Sequence, residues 1–122
     1  MRNWLAIGIA GTFGVLARHA VQQHVPRFGG LPWGTFIVNL AGALLIGFLA
    51  AFVIHQLRTP MWVQEALTVG FLGGFTTFSA LALETVVLMD RGRYLAAAGY
   101  SLGTLVAGTA AVLLGLRLGR VA

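Results

Sequence analysis

The sequence predicts an all-α membrane protein with four transmembrane helices in one domain, residues 1–122. Three observations predict it. The chain is 58% hydrophobic and 9% charged, with a mean hydropathy of +0.88, and a soluble fold of this size cannot bury that much apolar surface. Four apolar stretches fit between short loops, each near the ~20 residues that a hydrocarbon span requires. No stretch alternates apolar and polar residues as a β-barrel wall does.

The first span runs from about Trp4 to Val21. Its opening resembles a signal peptide, but the run carries Arg18 and is expected to stay in the mature protein. QQHVPRFGGLP leads to the second span, about Trp33 to Ile54, and HQLRTP leads to the third, about Met61 to Leu88. DRGR then leads to the fourth, about Tyr94 to Leu116. The connections hold Pro26, Pro32 and Pro60 and most of the charges, as loop chemistry requires.

The third span is expected to break mid-membrane, within GFLGGFTTFS (Gly70 to Ser79). Glycine costs a helix interior roughly 1 kcal/mol relative to alanine, and the β-branched Thr76 and Thr77 add little in return. In lipid, the freed main-chain groups need protein, water or an ion to satisfy them. Freed carbonyls suit a small hard cation, while freed N–H groups at the next helix start suit an anion. A packing kink is the other reading, and the residues alone leave the two open.

The net charge of +5 comes from eight arginines and no lysine, scattered singly among loops and ends. With no basic stripe or stacking platform, no nucleic-acid partner is expected; contact with anionic lipid headgroups accounts for the charge. The chain has no cysteine, which excludes disulfides and thiolate metal sites. His19, His24 and His55 lie at loop boundaries without a second ligand at helical spacing. No nucleophile–base pair, HExxH, P-loop or dinucleotide fingerprint is present, so no enzyme is expected.

Four spans put Arg2, Arg58, Arg117 and Arg120 on one side and Arg27, Arg91 and Arg93 on the other, with Arg18 near a boundary. The balance leaves orientation undecided. Either one orientation wins on a weak bias, or copies insert both ways up. The second reading allows an antiparallel, dual-topology homodimer, the two-chain counterpart of a transporter's inverted repeats. Four packed helices fill their own centre, so a conduit belongs between subunits. Gly70 with Gly74, Gly99 with Gly103 and Gly115 with Gly119 offer small residues at the spacing close helix packing uses.

Polar residues within hydrocarbon need a partner or a purpose. Thr35 and Asn39 share a face of the second span, and Tyr100 and Thr104 share a face of the fourth, continued by Gly108. Each has the alternative of a plain helix–helix or back-bonded hydrogen bond, and Ser101 suits a bond to its own helix. Arg18 either snorkels or ties down a loop or another helix end. Glu65 and Glu84 bracket the third span, Glu84 as a partner for hydroxyls or as an interfacial charge.

The chain resembles the Fluc (CrcB) family of fluoride channels over essentially its whole length. GTFGVLAR, GTFIVNLAG and GFLGGFTTFSALALE carry the resemblance, in order, in the first three spans. It implies a passive channel exporting fluoride from the cytoplasm across a bacterial inner membrane, as an antiparallel homodimer with two pores at the subunit interface. It also implies a structural sodium on the dimer axis, held by main-chain oxygens of Gly73 and Thr76. Asn39 corresponds to the family's pore asparagine, Thr35 to its vestibule hydroxyl and Arg18 to the arginine near the pore mouth. Phe78 corresponds to the first of two pore phenylalanines, while Thr77, Ser79, Tyr100 and Thr104, with Glu84 alongside, follow the pore track.

The chain departs from the family pattern at four places. Leu81 stands where the second pore phenylalanine is usual, Ala80 and Ala43 where small polar or sulfur side chains are usual, and Gly108 where a serine is usual. Two further readings accompany the channel. One is a dual-topology proton-coupled small-solute antiporter dependent on Glu84 or Glu65, although the first span lacks the mid-membrane acid of a small drug exporter. The other is a non-conducting partner subunit, since some family members pair unlike chains.

Overall fold

The computed structural model describes residues 1–122, and all of its regular structure is helical. Helix α1 is Arg2–His24, and α2 is Trp33–Gln56, whose last part, Ala50–Gln56, winds in wider i→i+5 turns. Helix α3 covers residues 61–75 as Met61–Glu65, a wide-turn stretch Ala66–Leu72, and Gly73–Phe75. Helix α4 is Phe78–Asp90 and α5 is Tyr94–Val121. Four helical stretches are long and apolar enough to cross a membrane: Arg2–His24, Trp33–Gln56, Met61–Asp90 and Tyr94–Val121.

Local chemistry explains the boundaries. Val25 is extended (φ −89°, ψ 116°) and precedes Pro26, because proline disfavours helical geometry in the residue before it. Pro32 and Pro60 sit immediately before α2 and α3, where their missing N–H removes no helical bond. Helix α4 ends on Gly92 at φ 72°. Gly92 donates to Met89 at 2.8 Å and Arg93 to Leu88 at 2.9 Å, the paired bonds of a glycine-closed helix end.

Between α3 and α4 the backbone leaves the helix. Thr76 (φ −85°, ψ 157°) and Thr77 (φ −150°, ψ 114°) are extended. The interruption changes the chain's neighbours: α3 packs along α1, whereas α4 packs against α5.

Two close-packed helix pairs carry the bundle, and glycines set both. A Cβ at Gly70 would stand 2.7 Å from the Ile7 carbonyl oxygen, and one at Gly74 would stand 2.6 Å from that of Gly11. On the α2–α5 side, a Cβ at Gly119 would stand 2.7 Å from the Phe48 carbonyl oxygen, and one at Gly115 would collide with the Leu44 carbonyl. The Gly99 and Gly103 pair differs, since nothing lies within 4 Å of either position. Those two glycines thin the outer face of α5 instead of seating a neighbour within the chain.

Only 18 of 122 residues are buried. Leu5, Ile9, Phe13, Leu95, Leu102 and Val106 all face outward, so lipid or another copy must cover the exterior.

Candidate functional site

The site is built around the extended residues Thr76 and Thr77. In the first half of α2, Asn39 pairs its amide with the Thr77 peptide on both edges. Its Nδ2 donates to the Thr77 carbonyl at 3.1 Å, and its Oδ1 accepts the Thr77 N–H at 2.8 Å. A planar carboxamide thus replaces the two bonds that helix continuation would have given this residue. Gly42, one turn further on, admits this contact: a Cβ there would collide with the Thr76 methyl.

Helix α1 braces the same interruption from the other side. Arg18 donates from a guanidinium N–H to the Thr76 carbonyl at 3.2 Å, so it ties down a helix end. The Thr76 N–H and hydroxyl both donate to the Leu72 carbonyl at 2.9 Å. Thr77 then caps α4 by accepting the Ala80 N–H on its Oγ1 at 3.2 Å, a role for which threonine is a preferred residue. The Thr77 and Ser79 hydroxyl oxygens lie 3.4 Å apart.

A second polar cluster lies toward the loops. Glu84 accepts the Thr35 hydroxyl on Oε1 at 2.9 Å and the Tyr100 hydroxyl on Oε2 at 2.6 Å. Glu84 is therefore a partner for hydroxyls from α2 and α5. Thr35 in turn accepts from Gln22 Nε2 at 3.2 Å.

Open grooves flank these groups. The largest, about 780 Å³, is lined by Asn39, Thr76, Thr77, Phe78, Leu81, Thr104 and Gly108 among others. Phe78 is 81% exposed on its wall, which leaves the ring edge free for a ligand or another chain. On the α1 side a groove of about 390 Å³ is lined by Arg18, Gln22, Thr77 and Ser79 among others. Thr77 belongs to both grooves.

The residues singled out in the sequence therefore fall into three groups. Asn39, Thr77, Phe78 and Thr104 share the large groove; Arg18 and Ser79 share the α1-side groove with Thr77; Thr35, Glu84 and Tyr100 share a hydrogen-bonded cluster. The Thr104 hydroxyl does not continue a ladder with that of Tyr100; it donates to the Tyr100 carbonyl at 2.6 Å. Ser101 bonds back to Ala97 at 2.9 Å. Phe75 is buried and stacks on Phe71 with ring centroids 5.9 Å apart. Gln22, within the stretch QQHVPRFGGLP that the sequence assigns to a loop, instead continues α1 and follows Arg18 by one helical turn on the same face.

The main-chain oxygens of Gly73 and Thr76 fit a small alkali cation. The Thr77 N–H, the helical i+4 partner of the Gly73 carbonyl, goes to Asn39 instead, and Gly73 is exposed. The Thr76 oxygen accepts one bond from Arg18 and keeps a second lone pair. Both are hard, neutral donors of the kind unwound membrane helices offer to sodium.

Four spanning helices, with polar side chains gathered at an interruption inside the third, define the class: a multi-pass membrane protein. The family model described as "CrcB-like protein, Camphor Resistance (CrcB)" matches residues 5–116, and the chain belongs to that family. Among its relatives, the fluoride-specific ion channel FluC of Paracoccus denitrificans (strain Pd 1222) is 44% identical over 119 residues, covering 97% of this chain and 94% of the relative. The FluC of Hydrogenobaculum sp. (strain Y04AAS1) is 42% identical over 96% of this chain and 97% of its own length. That of Bordetella petrii is 41% identical over 93% and 88% respectively. These relatives are named as ion channels, not as enzymes.

Proposed function

We propose that the chain is a passive fluoride-selective channel that exports fluoride from the cytoplasm, working as an antiparallel homodimer with two pores. One observation carries this reading: the Asn39 amide, bound on both edges to the Thr77 peptide, stands in the wall of an open groove inside the membrane span. Its second Nδ2 proton is not needed for that pairing. Fluoride is small and strongly hydrated, so a narrow path must offer donors in place of water. Neutral amides and hydroxyls do so without the full charge that would hold the ion in place. The exposed Phe78 ring adds the partial positive charge of its edge. The names of the relatives support the same ion.

A structural sodium belongs to the same proposal, held by the Gly73 and Thr76 oxygens of two copies. When bound, it would supply a central positive charge joining the two interruptions. One chain offers only two such oxygens, which favours a second copy to complete the shell.

Glu84 supports a passive channel over a proton-coupled antiporter, because both of its oxygens already accept hydroxyl donors. The deciding experiment is fluoride efflux from liposomes holding only this purified protein, with sodium and with an organic cation in its place. Efflux down the fluoride gradient, unaffected by a proton gradient, is expected. Absence of efflux would favour the non-conducting partner subunit, and uphill movement driven by protons would favour the antiporter.

A further inference from the structure

We propose that Gln22 is a further residue of the conduction path, orienting the Thr35 hydroxyl and offering its own amide proton to the passing anion. The proposal rests on the channel reading above. Gln22 stands at the join between two polar regions that are otherwise separate. It lines the α1-side groove with Arg18, Thr77 and Ser79, and it donates from Nε2 to Thr35 Oγ1 at 3.2 Å. Thr35 in turn donates to Glu84 at 2.9 Å. Polar groups thus line a route from the helix interruption, along α1, to the Glu84 cluster.

The direction of each bond follows from Glu84. The single proton of the Thr35 hydroxyl goes to Glu84 Oε1. The hydroxyl oxygen must then accept from Gln22, which assigns the amide nitrogen, and not the amide oxygen, to that contact. The carboxamide carries two N–H groups; the second remains for the groove that Gln22 lines. With the Tyr100 and Thr35 protons both directed at the carboxylate, an anion at this level needs another donor, and Gln22 is a neutral one lining the groove.

The approach is built into the backbone. A Cβ at Gly34 would stand 3.1 Å from the Gln22 Cα and 3.4 Å from its Cγ. Glycine at that position lets α1 and α2 come close enough for the amide to span to Thr35.

Gln22→Met, similar in size and apolar, keeps the packing over Gly34 and removes both N–H groups. Efflux is measured against fluoride concentration for this variant and the unsubstituted protein, alongside detergent gel filtration and thermal unfolding. The expected result is a half-saturating fluoride concentration raised by about tenfold or more, the effect of losing a hydrogen bond to a charged partner, in protein that still elutes as a single species and whose unfolding temperature falls only by what the lost Thr35 bond entails. Gln22→Glu, equal in shape but negative, is expected to suppress efflux more strongly than Gln22→Met. An unchanged half-saturation in Gln22→Met overturns the proposal while the channel reading stands. So does a loss of rate that only follows a lowered unfolding temperature. Failure of the unsubstituted protein to pass fluoride overturns both.

Discussion

Replacing Asn39 by aspartate changes one atom's chemistry at the centre of the site, and its effect can be worked from distances. The Nδ2 that donates to the Thr77 carbonyl at 3.1 Å becomes an oxygen facing an oxygen. The other carboxylate oxygen still accepts the Thr77 N–H, which lies 2.8 Å from Oδ1 in the unsubstituted protein. Two costs follow, and they are measured separately. Losing the donor leaves a carbonyl without its partner, worth about 1–3 kcal/mol of stability, read as a lower unfolding temperature in detergent. Placing a negative charge about 4 Å from a passing anion raises its energy by about 4 kcal/mol at an effective dielectric constant near 20, or about a thousandfold in rate. The assay is fluoride efflux from liposomes followed with a fluoride electrode, on variant protein that still elutes as a single species. Asn39→Asp that folds and passes fluoride within a few-fold of the unsubstituted protein would remove the Asn39 amide from the path.

The remaining predictions concern the frame that holds the site. Gly115→Ala drives a methyl group into the Leu44 carbonyl, whereas Gly99→Ala meets nothing within 4 Å. The first is therefore expected to lose about 1–3 kcal/mol to overpacking and the second close to none in the isolated chain. Equal unfolding temperatures for the two variants would contradict this account of the α2–α5 contact. Thr77→Val removes the hydroxyl that accepts the Ala80 N–H but leaves the Asn39 pairing to the Thr77 peptide in place. A loss of about 1 kcal/mol, the usual worth of such a cap, is expected, with faster hydrogen exchange at the Ala80 amide. Unaltered exchange there would count against the cap.

The helical class and the number of spans were legible because hydrocarbon imposes them: apolar runs of span length between proline-bearing loops leave few alternatives. The starts of α2 and α3 were equally legible, since Pro32 and Pro60 sit immediately before them. The ends were not, and the helices run on to His24, Gln56, Asp90 and Val121, because polar residues at the interface continue a helix as readily as they leave it. Individual polar residues could be listed from the sequence, but their partners could not. Whether Arg18 snorkels or reaches another helix depends on the distance to Thr76, a residue 58 positions away. Gln22 was missed for the same reason, since its partner Thr35 lies across a loop whose path the residues do not specify. The glycine pairs read identically in sequence. Only packing separates Gly70 and Gly74, pressed on α1, from Gly99 and Gly103, which face open space.

The choice between a packing kink and an ion-handling device turns on which groups satisfy the interrupted backbone. Kinks at glycine and threonine are ordinarily satisfied by the helix itself or by its own hydroxyls, and Thr76 bonding back to Leu72 is such a bond. Arg18 and Asn39 are of another kind. They come from α1 and α2 and hold the carbonyls of Thr76 and Thr77 and the Thr77 N–H. A guanidinium and a carboxamide within membrane spans are costly to place, and a kink that only improves packing does not require them. They leave over a Gly73 carbonyl whose helical N–H partner has gone to Asn39, and the first N–H groups of α4 beside the Ser79 hydroxyl. That difference is what supports the ion-handling reading proposed above over the packing kink.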